Sequence, residues 1–327
     1  MRLVSIIAPI YNEAVLVREF LGRTRQALGP LEARYRFELL LVNDGSRDES
    51  LSIMKACLGE EPRLRIIDLA RHYGQTAALQ AGLDAARGEI MVTLDADLQH
   101  LPEEIPRFLE TLDQGYDMVC GWRHDRAEGI VRRWPSQAAN WLIRRISGLP
   151  LRDFGTTFRA YRSELAKDIR LLGDFHRFIP VLGYLAGGRI AEIPIENVER
   201  PAGRSNYGLG RSLGVFLDLL VLLFFTRYAD RPMRIFGALG LLTFIAGGGI
   251  LSVLVAYAYL YDIPAVRQHS GWFIISVMLI LGALQITLTG VLAEILVRVH
   301  YGIGDRRVYR VRREWGTPAT GAPEAGN

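Results

Sequence analysis

Cysteine is scarce in this chain. Its 327 residues hold two, Cys57 and Cys120, both in apolar surroundings. Two thiols so placed make neither a disulfide framework nor a zinc site, and both are expected to be buried and reduced. Glycine motifs for phosphate are missing too. There is no Gly-x-Gly-x-x-Gly and no Gly-x-x-x-x-Gly-Lys-Ser/Thr, so the dinucleotide-fold and P-loop readings lose their main support. His72, His100, His124 and His176 have no ligand spacing, and non-ligand roles are expected. No internal repeat is evident. A signal peptide is not expected, because the apolar run Leu3–Ile10 is short, contains Pro9 and passes straight into Tyr11-Asn12-Glu13. Charge is nearly balanced, with 39 Lys and Arg against 35 Asp and Glu. A net +4 is only mildly basic, and no nucleic-acid partner is expected.

The most instructive absence is charge in two late stretches, Ile235–Tyr261 and Gly271–Ala293. Each exceeds the roughly 20 residues that cross a bilayer. Their short connector implies an antiparallel hairpin. Arg227, Arg231 and Arg234 precede the first stretch. Arg298, Arg306, Arg307, Arg310, Arg312 and Arg313 follow the second, and the connector carries only Arg267. The positive-inside rule therefore places both flanks on the cytosolic face of the plasma membrane. Leu213–Thr226 is apolar but too short to span and is interrupted by Asp218. It reads as a helix lying at the membrane surface or as a buried amphipathic helix. The Gly/Pro/Ala-rich tail after Gly316 reads as disordered. The expected organisation is a sheet domain at 1–207, an interfacial region at 208–232, two membrane helices within 233–301, and a basic segment and tail at 302–327.

Residues 1–207 alternate strand-like and helix-like segments. Strands are expected at Leu3–Ala8, Phe37–Val42, Leu64–Leu69, Ile90–Leu94 and Asp117–Cys120. Helices are expected at 13–28, 48–58, 74–86 and from Pro102. That alternation predicts a largely parallel sheet covered on both faces. In such sheets ligands bind at the carboxyl ends of the strands. Three polar clusters fall there: Pro9-Ile10-Tyr11-Asn12-Glu13, Asn43-Asp44-Gly45-Ser46 and Asp95-Ala96-Asp97-Leu98-Gln99. The paired carboxylates Asp95 and Asp97 beside Gln99 make a hard-oxygen set suited to Mg2+ or Mn2+. Tyr11 offers a stacking face, and Glu13 and Asp44 offer acceptors for a base or ribose. Each cluster also has a plainer reading, since Asn43–Ser46 is an ordinary turn with a helix cap and Tyr11 fits simple packing. Arg123, Arg159, Arg200 and Arg204 supply charge of the kind that binds phosphate bidentately. His100, next to the carboxylates, is a candidate for supporting them.

With Gly121-Trp122-Arg123, Phe154–Tyr161 and Arg200–Tyr207 following in order, the chain resembles family-two glycosyltransferases of the α/β GT-A fold. More narrowly it is similar to polyprenyl-phosphate sugar transferases such as dolichyl-phosphate mannose synthases. Tyr73-Gly74-Gln75 and Asp97–Pro106 also resemble the bacterial aminoarabinose-lipid transferases. The resemblance covers about residues 3–315. It implies a nucleotide-sugar site at Pro9, Tyr11, Glu13, Val42, Asp44, Asp95, Ala96 and Arg200, and a Mg2+ or Mn2+ site at Asp95, Asp97 and Gln99. It implies Asp97, Arg123 and Arg159 as the groups nearest the reacting sugar and the lipid phosphate. It also implies a nucleotide-diphosphate sugar and a polyprenyl phosphate as substrates, and a homo-oligomer, a tetramer by family likeness. Two positions depart from the family pattern. Asn43 stands where an aspartate is common, and Asn206 stands where a lysine is common.

The expected reaction is inverting transfer from a nucleotide sugar to undecaprenyl or another polyprenyl phosphate. A UDP-sugar is favoured, with GDP-mannose as the alternative donor. A processive polysaccharide synthase shares the carboxylates but also carries Gln-x-x-Arg-Trp, and Ile130–Trp134 lacks the glutamine. A non-catalytic membrane scaffold would not need carboxylates, nucleotide positions and phosphate arginines together.

Overall fold

The computed structural model describes residues 1–124, 141, 143–145, 147–169, 171, 175–196, 198, 232–261, 268–302 and 308–316, with backbone alone at 297–302. The chain divides into two compact units. One comprises 1–219 with 307–327, and the other 220–306. Arg200, Arg204, Asn206 and residues 208–231 of the expected interfacial region at 208–232 lie outside the described residues, as does the tail beyond Gly316.

The first unit begins with β1 (Arg2–Ile10), α1 (Val17–Leu28), β2 (Tyr35–Asn43), α2 (Ser50–Cys57), β3 (Leu64–Leu69), α3 (Gln75–Ala85) and β4 (Ile90–Thr93). It continues with α4 (Ile105–Asp113), β5 (Met118–Arg123), β6 (Arg159–Arg162), α5 (Ser163–Asp168), α6 (Ile179–Leu185) and β7 (Ile190–Ile195). A last strand, β8 (Val311–Trp315), closes the unit. The sheet order is β7-β5-β6-β4-β1-β2-β3-β8. β4-β1-β2-β3 is a parallel core, β5 and β7 are parallel, and β6 and β8 run against their neighbours. Alternate residues of β1 explain the layering. Val4, Ile6, Ala8 and Ile10 join Phe20, Leu28 and Phe108 in the main core. Ile7 points to the other face, where α3 approaches so closely that a Cβ on Gly82 would meet the Ile7 side chain at 2.3 Å.

β6, β7 and β8 were not expected. Each breaks the apolar-run signal: β6 begins and ends in arginine, β7 contains Pro194, and β8 is Val-Arg-Arg-Glu-Trp. β7 and β8 form the two sheet edges, where proline and charge are tolerated and deter further pairing. The expected basic segment at 302–327 is thereby corrected. Its residues 311–315 are an integral strand of the first unit, held antiparallel to β3.

The second unit contains α7 (Met233–Tyr261) and α8 (Ser270–Gly302). Both have apolar windows of mean hydropathy 2.2, and only 17% of each window is buried. Large side chains such as Leu242, Phe244, Met278 and Leu292 are exposed, as suits a transmembrane hairpin. α8 runs beyond the expected end at Ala293. Gly290 sits so close to α7 that a Cβ there would lie 2.5 Å from that of Phe236, and small residues of this kind let helices in lipid approach.

Candidate active site

The ends of β1, β2 and β4 bring the three polar clusters to one edge, because Pro9 pairs with Val42, and Ile10 with Asn43, in parallel register. Asn12 takes a left-handed backbone, φ +55°, a conformation asparagine tolerates. Its N–H donates to Ser46 Oγ (3.1 Å) and its Oδ1 accepts from Arg47 N–H (2.8 Å). Glu13 N–H donates to Ser50 Oγ (2.9 Å). The first two loops are thus stitched together. Tyr11 is 37% exposed and stacks on His72, with ring centroids 4.0 Å apart and planes 25° from parallel. Val42 is fully buried within β2, in register with Pro9 on one side and Ile67 on the other.

Asp44 is buried, and its carboxylate grips the loop before α3. Oδ1 accepts from Tyr73 N–H (2.7 Å), Oδ2 from Gly74 N–H (2.9 Å), and His72 Nδ1 lies 2.8 Å from Oδ2. Gly74 has φ +95° and ψ 162°, a region open in practice only to glycine. That φ/ψ lets the loop deliver two consecutive N–H groups to one carboxylate.

Asp95 and Asp97 are half-buried, with Ala96 buried between them. Thr157 Oγ1 donates to Asp95 Oδ2 (2.7 Å) and Gln75 Nε2 to Asp95 Oδ1 (2.9 Å). Burial and then the charge of Asp97 push the Asp95 carboxyl up to about 6; the Thr157 and Gln75 hydrogen bonds and the more distant Arg159 oppose that rise. Two carboxylates raising each other's cost of ionisation is the electrostatic condition a divalent cation relieves. The donor set of two carboxylates and the Gln99 amide is hard oxygen, so these residues fit Mg2+ or Mn2+. Leu98 is buried with φ +57°, rare for a bulky residue. The turn also lets Gln99 N–H donate to Asp97 Oδ1 (3.1 Å), which fixes that carboxylate locally. His100 is buried and held well below the usual imidazole range, to about 4, by burial and then by Arg123. It is a neutral wall of the site.

The arginines fall in two places. Arg123 ends β5 and pairs bidentately with buried Asp153, at 2.7 and 3.2 Å. Arg159 is 1% exposed. Its Nη1 donates to His176 O (2.8 Å) and its Nη2 to Phe154 O (3.0 Å). The expectation that Arg159 faces the acceptor phosphate is therefore corrected. It lies inside the fold, as a brace for the 154–159 segment that delivers Thr157 to Asp95. Residue reading missed Thr157, Gln75, Asp153 and Asp68 as partners. The first three lie in or beside quoted motifs, but no spacing rule links residues 62 positions apart.

A model of glycosyl transferase family 2 matches residues 5–170. The chain belongs to glycosyl transferase family 2. A dodecaprenyl-phosphate galacturonate synthase of Rhizobium johnstonii is 39% identical over 317 residues, covering 94% of this chain and 92% of the relative. An undecaprenyl-phosphate 4-deoxy-4-formamido-L-arabinose transferase of Pseudomonas aeruginosa is 34% identical, covering 95% and 90%. Among solved structures, a glucosyl-3-phosphoglycerate synthase of Mycobacterium tuberculosis, crystallised with Mn2+, uridine diphosphate and glucosyl-3-phosphoglycerate, gives a TM-score of 0.52. It is 20% identical and covers 68% of this chain and 79% of that one, a likeness that shows the GT-A fold. The protein is a family-two glycosyltransferase with this fold, followed by two apolar helices.

Proposed function

We propose that this glycosyltransferase moves a sugar, with inversion, from a nucleotide-diphosphate sugar to a polyprenyl monophosphate at the cytosolic face of the plasma membrane. The observation that carries the reading is the Asp95–Asp97 pair. It is held by neutral donors, carries two like charges one residue apart, and sits at the sheet edge that also presents Tyr11 and Asp44. The curated relatives, named for dodecaprenyl and undecaprenyl phosphate, favour a lipid phosphate acceptor, and an undecaprenyl chain with a UDP-sugar is the preferred pair. Asp95, Asp97 and Gln99 would hold a divalent ion, which when bound would supply charge neutralisation for the departing diphosphate.

The chain's own groups do the rest. Tyr11 and the loops at Glu13, Val42 and Asp44 hold the nucleoside, with Arg200 on the diphosphate. A phosphate monoester loses its second proton near pH 6, so the acceptor oxygen needs no strong base. What it needs is orientation and screening, which Arg123 supplies from the end of β5. Arg159 keeps the loop rigid from behind. Topology supports a membrane hairpin: β8 follows α8 yet pairs with β3, so the chain leaves and returns on one side, and the arginine bias makes that side cytosolic. Assembly as a homo-oligomer belongs to the same proposal and is tested by the particle's mass in detergent.

The decisive experiment incubates the full-length protein in membranes with undecaprenyl phosphate and a panel of UDP-, GDP- and other nucleotide sugars. Mass spectrometry then seeks a polyprenyl-phosphate-linked sugar. One metal-dependent product is expected. No product across the panel, or the same yield from Asp97→Ala, overturns the reading.

A further inference from the structure

One buried acid is not used by that mechanism. Asp68, on β3, is 1% exposed. It sits in register with Asn43, and Asn43 Nδ2 donates to Asp68 Oδ1 at 2.7 Å. The other end of the same amide is also engaged, since Asn43 Oδ1 accepts from Ser46 N–H at 3.2 Å. Ser46 Oγ in turn accepts from Asn12 N–H at 3.1 Å. One line of hydrogen bonds therefore runs from β3 through the turn that carries Asp44 to the loop that carries Tyr11. Across the sheet edge, Arg312 of β8 lies 3.6 Å from Asp68 Oδ2 and also donates to Ala70 O. The charge facing the buried carboxylate comes from the strand that returns after the second apolar helix.

We infer that Asp68 is a positioning residue for the nucleotide site, setting Asn43 and through it the Asp44 and Tyr11 loops, with Arg312 as its counter-charge. The inference rests on the proposed nucleotide reading of those loops. It also accounts for asparagine at position 43. With an acid already fixed opposite, a second carboxylate there would place two anions at hydrogen-bond distance, whereas an amide donates to one side and accepts from the other. A buried bond to an ionised acceptor holds geometry more firmly than a neutral one.

The test is a swap in the full-length protein, read by UDP and GDP affinity and by steady-state kinetics. Asn43→Asp is expected to weaken nucleotide binding by about tenfold or more, Asp68→Asn alone by about threefold or less, and the double variant to return within about threefold of the parent. The KM for the nucleotide sugar should carry the loss, with kcat and the acceptor KM little changed. Arg312→Gln, at a side chain 59% exposed, keeps the fold and should weaken nucleotide about twofold, which keeps the idea testable if Asn43→Asp misfolds. A double variant no better than Asn43→Asp, or full nucleotide affinity in Asn43→Asp, overturns the positioning role alone. A parent protein that binds neither UDP nor GDP overturns the nucleotide reading beneath it.

Discussion

The two ends of the sheet both bury carboxylates, and they treat them differently. At the amino end, Glu38 is 1% exposed and saturated. It accepts from Arg65 Nη1 (3.0 Å), Arg87 N–H (2.7 Å) and Ser5 Oγ, and Ser5 Oγ also accepts from Gly88 N–H (2.8 Å). At the carboxyl end, Asp95 accepts from Thr157 and Gln75 among the described residues and has Asp97 as a like-charged neighbour. One end is electrostatically complete. The other sets two like charges side by side, and the Asp95 carboxyl is raised by burial and then by that neighbour, a perturbation that clusters at sites kept for a ligand.

The sharpest way to break that comparison is Asp97→Ala. If the pair exists for chemistry, transfer should fall about a thousandfold, the scale of removing a metal's charge stabilisation. The metal-free melting temperature should hold or rise, because the repulsion raising Asp95 is gone. Turnover assays and calorimetry in EDTA check both halves, and a drop in stability without a drop in rate would reverse the assignment. Glu38→Ala should behave in the opposite sense. Breaking a saturated buried pair leaves Arg65 with the Ala85 carbonyl and the more distant Glu314 and costs about 3 kcal/mol, seen as a lower denaturation midpoint. The folded fraction should transfer sugar at the parental rate.

Much of this contrast was legible before the structure. The parallel core strands were expected within about two residues at either end, and Leu64–Leu69 at its observed bounds, because buried parallel strands are written as uninterrupted apolar runs. The three polar clusters followed from their position after those runs. The edge strands were not legible, since edges need no apolar face. Nor was the division of labour between Arg123 and Arg159. Both were read as phosphate-facing, yet burial of Arg159 depends on where residues 154 and 176 place their carbonyls. The role of Glu38 was not legible either, because its partners are a serine 33 positions away, the Arg87 backbone N–H and an arginine 27 positions away.

Thr157→Val probes the same contrast more gently. The substitution keeps the shape and removes the Oγ1 that donates to Asp95, while the Gln75 donor stays in place. Mn2+ affinity, measured by electron paramagnetic resonance without substrate, should weaken about tenfold, the size of one hydrogen bond to a charged group. The fold should barely respond. Unchanged Mn2+ affinity would mean that Thr157 merely packs.

The smallest expected effect is a shift of melting temperature with pH, and its sign is fixed by the structure. Asp95 titrates at about 6 in the folded protein against an ordinary 3.8. The folded state therefore binds that proton more tightly than the unfolded chain does. As pH rises from 3.8 to about 6, the unfolded chain ionises first, and this group's contribution moves against folding by the linkage relation. A divalent ion binds the ionised pair and cancels the penalty, so Mg2+ should raise the melting temperature more at pH 7 than at pH 5, by a few degrees. Glu38→Gln should leave that metal-induced gain in place, because the amino end takes no part in it. Asp97→Ala should abolish it. A gain of equal size at both pH values would show that Mg2+ acts elsewhere, and the two ends of the sheet would then differ in geometry but not in purpose.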